Sequence, residues 1–377
     1  MPDGLPQRLR NGLISPLQRR FVGRDEVIDL ITLAAVAGEH LFLYGPPGTA
    51  KSLLVRSFAD GVRCRYFEYL LTRFSEPNEI FGPIDLAKLR EGSVTTVTTG
   101  MLPEAEFAFL DELFNANSAI LNNLLTVLNE RVYRRGIETH RLPLITAFAA
   151  SNHLPEDDAL QALFDRFLLR CAVLPLSREQ LPGLLAAGWA IERDGATTLK
   201  SGDGLTADDL RLLNLRVRDV NLSAVLDPYV SAVSKVRDLG VTLTDRRAVK
   251  VLKLVAASAV MCGRPDAVLS DLWVFRYVWD RAEQIGPLAS LVTGMLKGVA
   301  EDRQHPQSIP SGRVDAEALA KELADAEREA VPGLKLLEAA RLRERVQTIA
   351  DRAAWVSDTT ARDHLLRGAA QLVEKLG

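Results

Sequence analysis

Short apolar runs, each bounded by glycine or polar residues, recur through the first half of the chain. The run Leu41-Phe42-Leu43-Tyr44 is too short for a helix and is followed by Gly45, so it predicts a buried strand. Similar runs lie at Tyr66–Leu71, Phe107–Leu110, Leu144–Ala150 and Leu168–Leu174, separated by helical patterns such as Ser52–Phe58 and Ile120–Glu130. Strands that alternate with helices predict an α/β fold with a parallel sheet.

The apolar period changes near Pro175, and from there almost every segment repeats with a helical period. The clearest of these helical segments are Leu181–Ile191, Asp208–Leu213, Val225–Leu239, Arg246–Cys262 and Leu269–Ile285. One earlier helix is predicted over residues 26–36, with Gly38 as its C-terminal cap.

These patterns divide the chain into five parts. From the amino terminus we expect a tail over residues 1–20, an α/β domain over 21–176, a helical domain over 177–300, a linker over 301–312 and C-terminal helices over 313–377. The linker is predicted from its polar, proline-containing composition. The last part divides into about three helices, which we interpret as a docking or assembly-stabilising appendage or as an extension of the helical domain's core.

Composition excludes several classes of function. No apolar stretch reaches the ~18 residues of a membrane span, and Met1–Gly4 lacks a signal-peptide pattern, so we expect a cytoplasmic protein. The net charge of −3 argues against a dedicated nucleic-acid binder. The three cysteines and five histidines show no metal-ligand spacing, which predicts reduced thiols and no zinc-type site.

A loop of small residues stands directly between the predicted strand at 41–44 and a helix. Its residues are Gly45, Pro46, Pro47, Gly48, Thr49, Ala50, Lys51 and Ser52, with Leu53 next in the helix. Such a loop lets backbone N–H groups converge on phosphate oxygens at a helix N-terminus. Lys51 would reach the β- and γ-phosphates of ATP, and the Ser52 hydroxyl would ligate Mg²⁺. A plain turn before an ordinary helix is the alternative.

Ala50 departs from the phosphate-loop pattern G-x-x-x-x-G-K-[ST], which has glycine before the lysine. We expect helical backbone dihedrals at this position, because they would accept alanine, a better helix former than glycine by about 1 kcal/mol. The departure lowers the specificity of the match without removing it.

Two adjacent carboxylates follow the apolar run at 107–110. In a protein with a phosphate loop, an acid at the end of a neighbouring strand holds Mg²⁺, and that role falls to Asp111. A hydrolase also needs a group that polarises the attacking water, and Glu112 suits that role. A solvated turn after a buried strand is the alternative, which the phosphate loop makes the weaker interpretation.

Two further polar residues lie beside predicted strands. Asn152 ends the run at 144–150 and could bond the γ-phosphate and the attacking water, although a plain turn residue is the alternative. Arg166 precedes the last strand and could reach a neighbouring subunit's nucleotide, where such an arginine is typically worth ~10³–10⁵ in rate. An arginine in an Asp-Arg pair is equally typical of a structural ion pair. Arg170 is the next candidate for that role.

The four motifs in this order resemble those of AAA+ ATPases, and the detail resembles the MoxR-type members and their RavA branch. Many MoxR-type proteins have the alanine that stands here at Ala50. The other matching segments are Phe67–Ser75, Ile80–Pro83, Gly100–Ala105, Ile120–Arg131, Thr244–Arg247 and Ala257–Arg264. The resemblance covers roughly residues 10–300.

The resemblance implies an AAA+ core followed by a helical lid, with ATP or ADP and Mg²⁺ as ligands. Arg246, or the adjacent Arg247, would be the lid's sensor arginine, and Arg246 would close the nucleotide site of its own subunit. Residues 92–100 and 132–142 would be an insertion and a hairpin that face the pore or the substrate. Family members form hexamers, act as chaperone-like machines and often work with a partner carrying a von Willebrand factor A (VWA) domain. RavA's extra domain does not fit the region after residue 300, so its contacts are not implied.

The sequence therefore predicts an ATP hydrolase that remodels protein complexes as a ring. A slow, nucleotide-gated assembly scaffold is the alternative, ranked second because every catalytic candidate is present. A DNA-directed AAA+ protein is a third class, and the acidic balance counts against it. Nothing in the sequence names the client.

Overall fold

The computed structural model describes residues 4–135, 138–155, 157–178, 180–194, 204–296, 305–308, 316–330, 336–353 and 359–376. Its strands are β1 (Leu41–Tyr44), β2 (Tyr66–Leu70), β3 (Phe107–Asp111), β4 (Val132–Arg135), β5 (Glu138–Arg141), β6 (Thr146–Ser151) and β7 (Leu169–Ala172). Five of them form a parallel sheet in the order β2-β3-β6-β1-β7, while β4 and β5 form an antiparallel hairpin. The predicted parallel α/β fold is confirmed.

Helices flank this sheet and make up the second half of the described chain. In the first half they are α1 (Leu5–Leu9), α2 (Ser15–Arg20), α3 (Asp25–Ala37), α4 (Lys51–Val62), α5 (Pro77–Phe81), α6 (Leu86–Arg90), α7 (Ser118–Glu130) and α8 (Asp158–Phe164). In the second half they are α9 (Leu181–Asp194), α10 (Ala207–Val217), α11 (Leu226–Asp238), α12 (Asp245–Met261), α13 (Ile285–Met295), α14 (Ala316–Glu329), α15 (Leu336–Ala353) and α16 (Thr359–Lys375). Among the residues described, no helix combines the length and the apolar character needed to cross a membrane.

The sheet has two distinct edges, because all its strands run the same way. The carboxyl ends of the strands meet along one edge, called here the carboxyl edge, and their amino ends meet along the opposite, amino edge. β1 lies between β6 and β7 and is nearly all buried, as expected for a parallel strand covered on both faces. Its four residues separate the two edges by about 13 Å.

Residues 5–20 are a packed helical segment, so the interpretation of residues 1–20 as a tail is wrong for this part. A π-helical turn over Arg10–Ile14 joins α1 to α2. The buried leucines of the segment are Leu5, Leu9, Leu13 and Leu17. Their spacing of four places them along one side of a helix. Pro6 and Pro16 suggested irregular structure, but each lies in the first turn of its helix, where proline is tolerated.

The helical domain packs directly on the sheet domain, and one apolar cluster extends through both, from Leu5 to Val292. The expected helix over 269–285 is wrong in its type and its end. Leu269–Tyr277 is a 3₁₀-helix, and the next α-helix, α13, begins only at Ile285. Residues 270–275 are all buried, so this segment has no polar face from which a helical period could be recognised.

Three charged residues clasp β7 to the helical domain. Arg170, on β7, is fully buried and donates hydrogen bonds to Asp280 and to the Trp279 carbonyl. Arg247, near the start of α12, donates to the same Asp280 oxygen at 2.8 Å. Burial lowers the pKa of Arg170 to about 10; the charge of Arg247 acts in the same direction and Asp280 opposes it. Burial alone would raise the pKa of Asp280, but the two arginines hold it below its usual value.

Part of the expected linker is a buried turn. Residues 305–308 pack between the two domains, with the His305 ring stacked on Trp273 at a centroid distance of 4.6 Å. Gln307 donates a 2.7 Å hydrogen bond to Asp29 on α3, and Arg276 donates to the Gln307 carbonyl. The linker interpretation is therefore wrong for residues 305–308, and the rest of 301–312 lies outside the described residues.

The last three helices form a separate bundle, which confirms the three-helix prediction. Their buried side chains are Leu319, Ala326, Leu342, Val346, Ile349, Ala353, Leu365, Ala369 and Leu372. This cluster is distinct from the one that joins the sheet and the helical domain. The bundle has its own core and does not extend the core of the helical domain.

Candidate functional site at the carboxyl edge

The loop after β1 begins at the carboxyl edge and ends at the first turn of α4. Gly45 has a φ of 156°, and a Cβ there would lie 2.2 Å from the Val173 carbonyl oxygen, so only glycine fits beside β7. Its N–H donates to the Ser151 carbonyl at 3.1 Å, which ties the loop to β6. Thr49 is buried and donates its hydroxyl to the Pro46 carbonyl at 3.0 Å. The loop has a defined shape held by its own residues.

Ala50 does not have the helical dihedrals that we expected. Its φ is 63° and its ψ is 25°, in the left-handed region, and it serves as the N-cap of α4. The glycine of the usual pattern is favoured because this conformation costs an L-residue with a Cβ about 1 kcal/mol or more. The expectation is wrong because it treated Ala50 as part of the helix, whereas the helix starts one residue later.

Lys51 lies at the centre of the loop. Its Nζ donates to the carbonyls of Gly45 and Pro46, each at 2.8 Å. Burial lowers the pKa of Lys51, while the carboxylates of Asp111 and Glu112 oppose that shift, so both acids act on the lysine. Ser52 and Leu53 follow in the first turn of α4, whose unpaired N–H groups face the loop. The structure thus brings the phosphate loop and the acid pair together.

The acid pair stands at the end of β3, which β6 separates from β1. Asp111 is the last residue of β3, and its Oδ1 accepts the Glu112 backbone N–H at 3.0 Å. Glu112 has a φ of 50° and a ψ of 47°, a left-handed conformation that is uncommon for a residue other than glycine. Strain of this kind, about 1–3 kcal/mol, clusters at functional sites.

Asn152 is exposed just after β6 and therefore lies on the same edge as the loop and the acids. The sequence argument missed its neighbour His153, whose Nδ1 lies 2.8 Å from the Asn152 Oδ1. It also missed Arg24, which donates to the Leu174 carbonyl at 2.7 Å beyond β7 and whose charge lowers the pKa of Lys51. Two signals in the sequence could have found them: Arg24 follows a glycine directly before α3, and His153 directly follows the proposed sensor Asn152.

Arg166 and Arg170, the two alternatives for an arginine donated to a neighbour, have opposite environments. Arg166 is half-buried, and within the described residues its side chain has no hydrogen-bond partner, with a buried Nε. It lies just before β7, on the amino side of the sheet, away from its own phosphate loop. Arg170 is fully buried, with its guanidinium over the Phe164 ring at 3.8 Å. Burial excludes Arg170 from contact with another subunit and leaves Arg166.

The structure likewise distinguishes Arg246 from Arg247, the two candidates for the sensor arginine of the lid. Arg247 is buried in the clasp with Asp280, which leaves Arg246 as the exposed candidate. Arg246 donates to the Asn129 side chain at 2.8 Å, at the end of α7. The adjacent Arg131 bonds the Gly38 and Ile145 carbonyls, which precede β1 and β6, so Arg246 lies at the amino edge. The structure does not bring Arg246 to the phosphate loop of its own chain.

The hairpin expected over 132–142 is present as β4 and β5. It contacts the predicted insertion at 92–100, because Glu138 accepts hydrogen bonds from the backbone N–H and the hydroxyl of Thr96. Phe81 and Tyr133 stack at 4.7 Å where the two segments join the body. The insertion and the hairpin form one connected surface feature.

The residues at the carboxyl edge fit a nucleotide with Mg²⁺. The N-terminus of α4 and Lys51 supply positive charge for phosphates. The Lys51 ammonium group already lies within the loop, where it bonds the Gly45 and Pro46 carbonyls. Ser52 and Asp111 supply the hydroxyl and carboxylate oxygens that Mg²⁺ prefers. These are this chain's own contributions to such a site.

The fold and the site together define the AAA+ class, with a phosphate loop after a central parallel strand, an acid pair, a polar residue directly after the strand between them and a helical lid. Within this class the chain belongs to the MoxR family. A family model described as the MoxR domain in MoxR-vWA-beta-propeller ternary systems matches residues 7–214, and an AAA lid domain model matches residues 230–292.

Individual relatives agree with this assignment. An uncharacterized protein of Methanocaldococcus jannaschii is 35% identical over 288 residues, which are 76% of this chain and 74% of that protein. Chaperone MoxR1 of Mycobacterium tuberculosis is 27% identical over 59% of this chain and 58% of its own length. A crystal structure of a proposed ATPase from Cytophaga hutchinsonii has a TM-score of 0.60 at 17% identity, covers 78% of this chain and 95% of that one, and supports the fold. The resemblance to the RavA branch stays a prediction.

Proposed function

We propose that this chain is a Mg²⁺-dependent ATP hydrolase. The observation that carries the proposal is that Lys51, at the start of α4, lies on the same edge of the sheet as Asp111 and Glu112, at the end of β3. The charges of both carboxylates there act to raise the pKa of the lysine. A cation that binds phosphates, an acid for the metal and a second acid for water are what hydrolysis of a phosphoanhydride requires. A phosphate-binding protein without hydrolysis has no need of the second acid.

Each residue then has a definite task. Lys51 exchanges the carbonyls of Gly45 and Pro46 for phosphate oxygens when nucleotide enters. Bound Mg²⁺ supplies the positive charge that neutralises phosphate oxygens, and Ser52 and Asp111 hold it. Glu112 accepts a proton from the attacking water.

Replacement of the proposed base tests this function. Glu112→Gln keeps the shape of the side chain but removes its basicity, so ATP and Mg²⁺ should still bind while hydrolysis falls by ~10²–10⁴-fold. Binding is measured with a fluorescent ATP analogue, and hydrolysis by phosphate release. Glu130→Gln, at the exposed end of α7, is the matched control and should hydrolyse ATP normally. Full activity in Glu112→Gln would refute the role of Glu112.

We further propose that the chain works as a cytoplasmic ring, a hexamer by family resemblance, that remodels protein complexes. Arg166 supports a shared site, because it has no hydrogen-bond partner among the described residues and lies away from its own loop. The similarity to a protein named Chaperone MoxR1 supports the remodelling role. ATP should drive assembly of the Glu112→Gln protein into rings in mass photometry, and a monomer at saturating ATP would contradict the ring.

A VWA-domain protein is the partner that we propose, because the matching family model is described from systems that contain one. The C-terminal bundle α14–α16 is the proposed docking module, since it has a core of its own. Deletion of residues 313–377 should leave ATP hydrolysis intact and weaken partner binding. The protein client can be identified by capture on the Glu112→Gln chain in ATP, with the Lys51→Ala chain as the matched control.

A slow nucleotide-gated scaffold is the second candidate. One observation favours it, since Lys51 must leave two carbonyls at 2.8 Å before it can bind phosphates. A scaffold would assemble with ATP yet show the same low turnover with and without its partner, whereas a motor would be stimulated by the partner.

A further inference from the structure

The orientation of the Asn152 amide is decided by a neighbour outside the motifs described so far. An asparagine can present either its carbonyl oxygen or its amino group to a ligand, and only the amino group can donate to a phosphate oxygen. The Asn152 Oδ1 lies 2.8 Å from the Nδ1 of His153. A carbonyl oxygen only accepts, so in this arrangement the Nδ1–H tautomer of His153 is the donor.

His153 is itself fixed to the sheet. Its backbone N–H donates to the hydroxyl of Ser151 at 3.3 Å, and its Nδ1 lies 3.3 Å from the same oxygen. Ser151 is fully buried and pairs with Tyr44 at the end of β1. The imidazole therefore has a position set by the strand that neighbours the phosphate loop.

The other side of the imidazole faces the acid turn. The ring lies 5.9 Å from that of Phe114, two residues after Glu112 in the 3₁₀ turn that begins there. His153 thus stands between the end of β6 and the turn that begins at Glu112.

We propose that His153 is a positioning residue for Asn152. Its Nδ1–H holds the Asn152 carbonyl oxygen, which leaves both amide N–H donors of Asn152 for the phosphate and the attacking water. Without that bond the amide can turn its oxygen toward the phosphate, where it repels negative charge instead of stabilising it. The catalytic consequence rests on the proposed ATP hydrolysis, whereas the Nδ1–H tautomer and the bond to Asn152 do not.

Two substitutions separate hydrogen bonding from packing. His153→Asn places an amide donor near the position of Nδ1 but loses the ring, and His153→Phe keeps a ring against Phe114 but loses the donor. We expect His153→Phe to lower kcat by about tenfold with an unchanged KM for ATP, because the bond acts on the transition state. His153→Asn should retain most of kcat. The reverse ranking, or equal activity of both with wild type, would overturn the proposal.

A double-variant cycle tests whether His153 acts through Asn152. In an Asn152→Ala background, His153→Phe should have no further effect on kcat. An equal tenfold loss in that background would show a role independent of Asn152 and would overturn the proposal.

A readout that does not depend on activity completes the test. Histidine labelled with ¹⁵N gives signals from the five histidines of the nucleotide-free chain, and the signal lost in His153→Asn identifies His153. We expect the neutral Nδ1–H tautomer at pH 8, with a shift toward the Nε2–H form in Asn152→Ala. An Nε2–H tautomer in the wild-type chain would overturn the proposal. A chain that shows Nδ1–H but no ATP hydrolysis would sink the proposed function while leaving the contact established.

Discussion

The two edges of the central sheet are built in opposite ways. At the carboxyl edge, Lys51 is held by the carbonyls of its own loop, and Ala50 and Glu112 have left-handed backbones. Arg63 and Arg131 at the amino edge also have a positive φ, but they cap the C-termini of α4 and α7, where that conformation is usual. The residues for chemistry thus occupy the edge that carries unusual strain.

At the amino edge the charged groups are paired with fixed partners. Glu39 is buried between Lys250 and Lys253 of α12 at 2.8 and 3.3 Å. Burial alone would raise the pKa of Glu39, but the two lysines outweigh it and hold the pKa below its usual value. His40 bonds the Leu128 carbonyl at 2.9 Å and accepts the N–H of Ala147 at 3.0 Å.

This difference indicates that residues important for stability and residues for nucleotide chemistry are concentrated at opposite edges of the sheet. The amino edge attaches the helical domain and α7 to the strands by fixed charged pairs and hydrogen bonds. At the carboxyl edge, by contrast, Lys51 is held by two loop carbonyls that a phosphate could replace. Substitutions of the buried, paired residues Glu39 and His40 at the amino edge should therefore change the free energy of unfolding. Substitutions of Lys51 and Glu112 at the carboxyl edge should instead change nucleotide handling.

The largest expected effect is at the carboxyl edge. Lys51→Ala removes the cation that faces the phosphates, so ATP binding should be lost and hydrolysis should fall by more than ~10²-fold. The thermal midpoint of the nucleotide-free chain should change little, because the hydrogen bonds that Lys51 makes within the described residues go to its own loop. Lys253→Ala, at the amino edge, is the matched control and should bind ATP normally. Tight ATP binding by Lys51→Ala would break the comparison.

The second prediction uses mixed rings, on the premise that the proposed ring forms. An Arg166→Ala subunit has an intact pocket, and a Lys51→Ala subunit still offers Arg166. An equal mixture of the two inactive variants should recover up to about a quarter of wild-type hydrolysis, because that fraction of head-to-tail interfaces joins two good halves. Phosphate release after subunit exchange measures this recovery. No recovery in rings shown to contain both variants would exclude Arg166 as the donated residue.

The same experiment tests whether Arg246 acts at the pocket of its own subunit or at that of a neighbour. A role at its own chain's pocket predicts no recovery when Arg246→Ala is mixed with Lys51→Ala. The structure places Arg246 at the amino edge, on the side that carries Arg166, so we expect recovery in this mixture. We expect none when Arg246→Ala is mixed with Arg166→Ala.

The third prediction concerns acid and the amino edge. Burial lowers the pKa of His40 to about 3, with Arg131 contributing, against about 6.5 in an unfolded chain. The unfolded state therefore binds the proton first, so stability is complete above pH 6.5 and is lost as pH falls toward 3. The expected loss from this group between pH 8 and pH 5 is about 2 kcal/mol.

Urea unfolding at the two pH values checks this expectation. The loss of stability in His40→Gln should be smaller than in wild type by about 2 kcal/mol, although the variant is less stable at pH 8. His364→Gln, an exposed position on α16, should keep the wild-type loss. Asp29, whose pKa burial raises to about 7, acts in the opposite direction but is common to all three chains. An unchanged pH dependence in His40→Gln would contradict the assignment.

The smallest effect is expected at Ala50. Because its φ is 63°, Ala50→Gly should relieve strain and raise stability by about 1 kcal/mol, seen as a higher thermal midpoint. The same substitution at Ala35, inside α3, should destabilise by about 1 kcal/mol, since the backbone there is helical. A lower midpoint for Ala50→Gly would show that the loop is not strained.

Much of the fold could be predicted because parallel strands are buried on both faces. Their runs are continuous and apolar, and Leu41–Tyr44 was located without error. The prediction of an α-helix over Leu269–Tyr277 was wrong for a related reason. Burial on every side removes the alternation of apolar and polar positions that would distinguish a 3₁₀-helix from an α-helix. The prediction of a tail over residues 5–20 was wrong because proline was read as a sign of irregular structure, whereas both prolines lie in the first turn of a helix.

The residues of the candidate site also fall into those that the sequence could predict and those that it could not. Lys51, Asp111 and Asn152 could be located because each follows a strand, and parallel strands bring such residues to one edge. The backbone of Ala50 could not be predicted, since residue type alone does not show where α4 begins. Nor could the choice between Arg246 and Arg247 be made from their adjacent positions, because it depends on Asp280, more than thirty positions further along the chain.

The clasp of Arg170, Asp280 and Arg247 constrains how this protein can evolve. Loss of Asp280 alone would leave two buried guanidinium groups facing each other, and a broken buried pair typically costs about 3–5 kcal/mol. Loss of either arginine alone still leaves the carboxylate one partner. A lineage that abandons the clasp must therefore replace an arginine before it replaces Asp280.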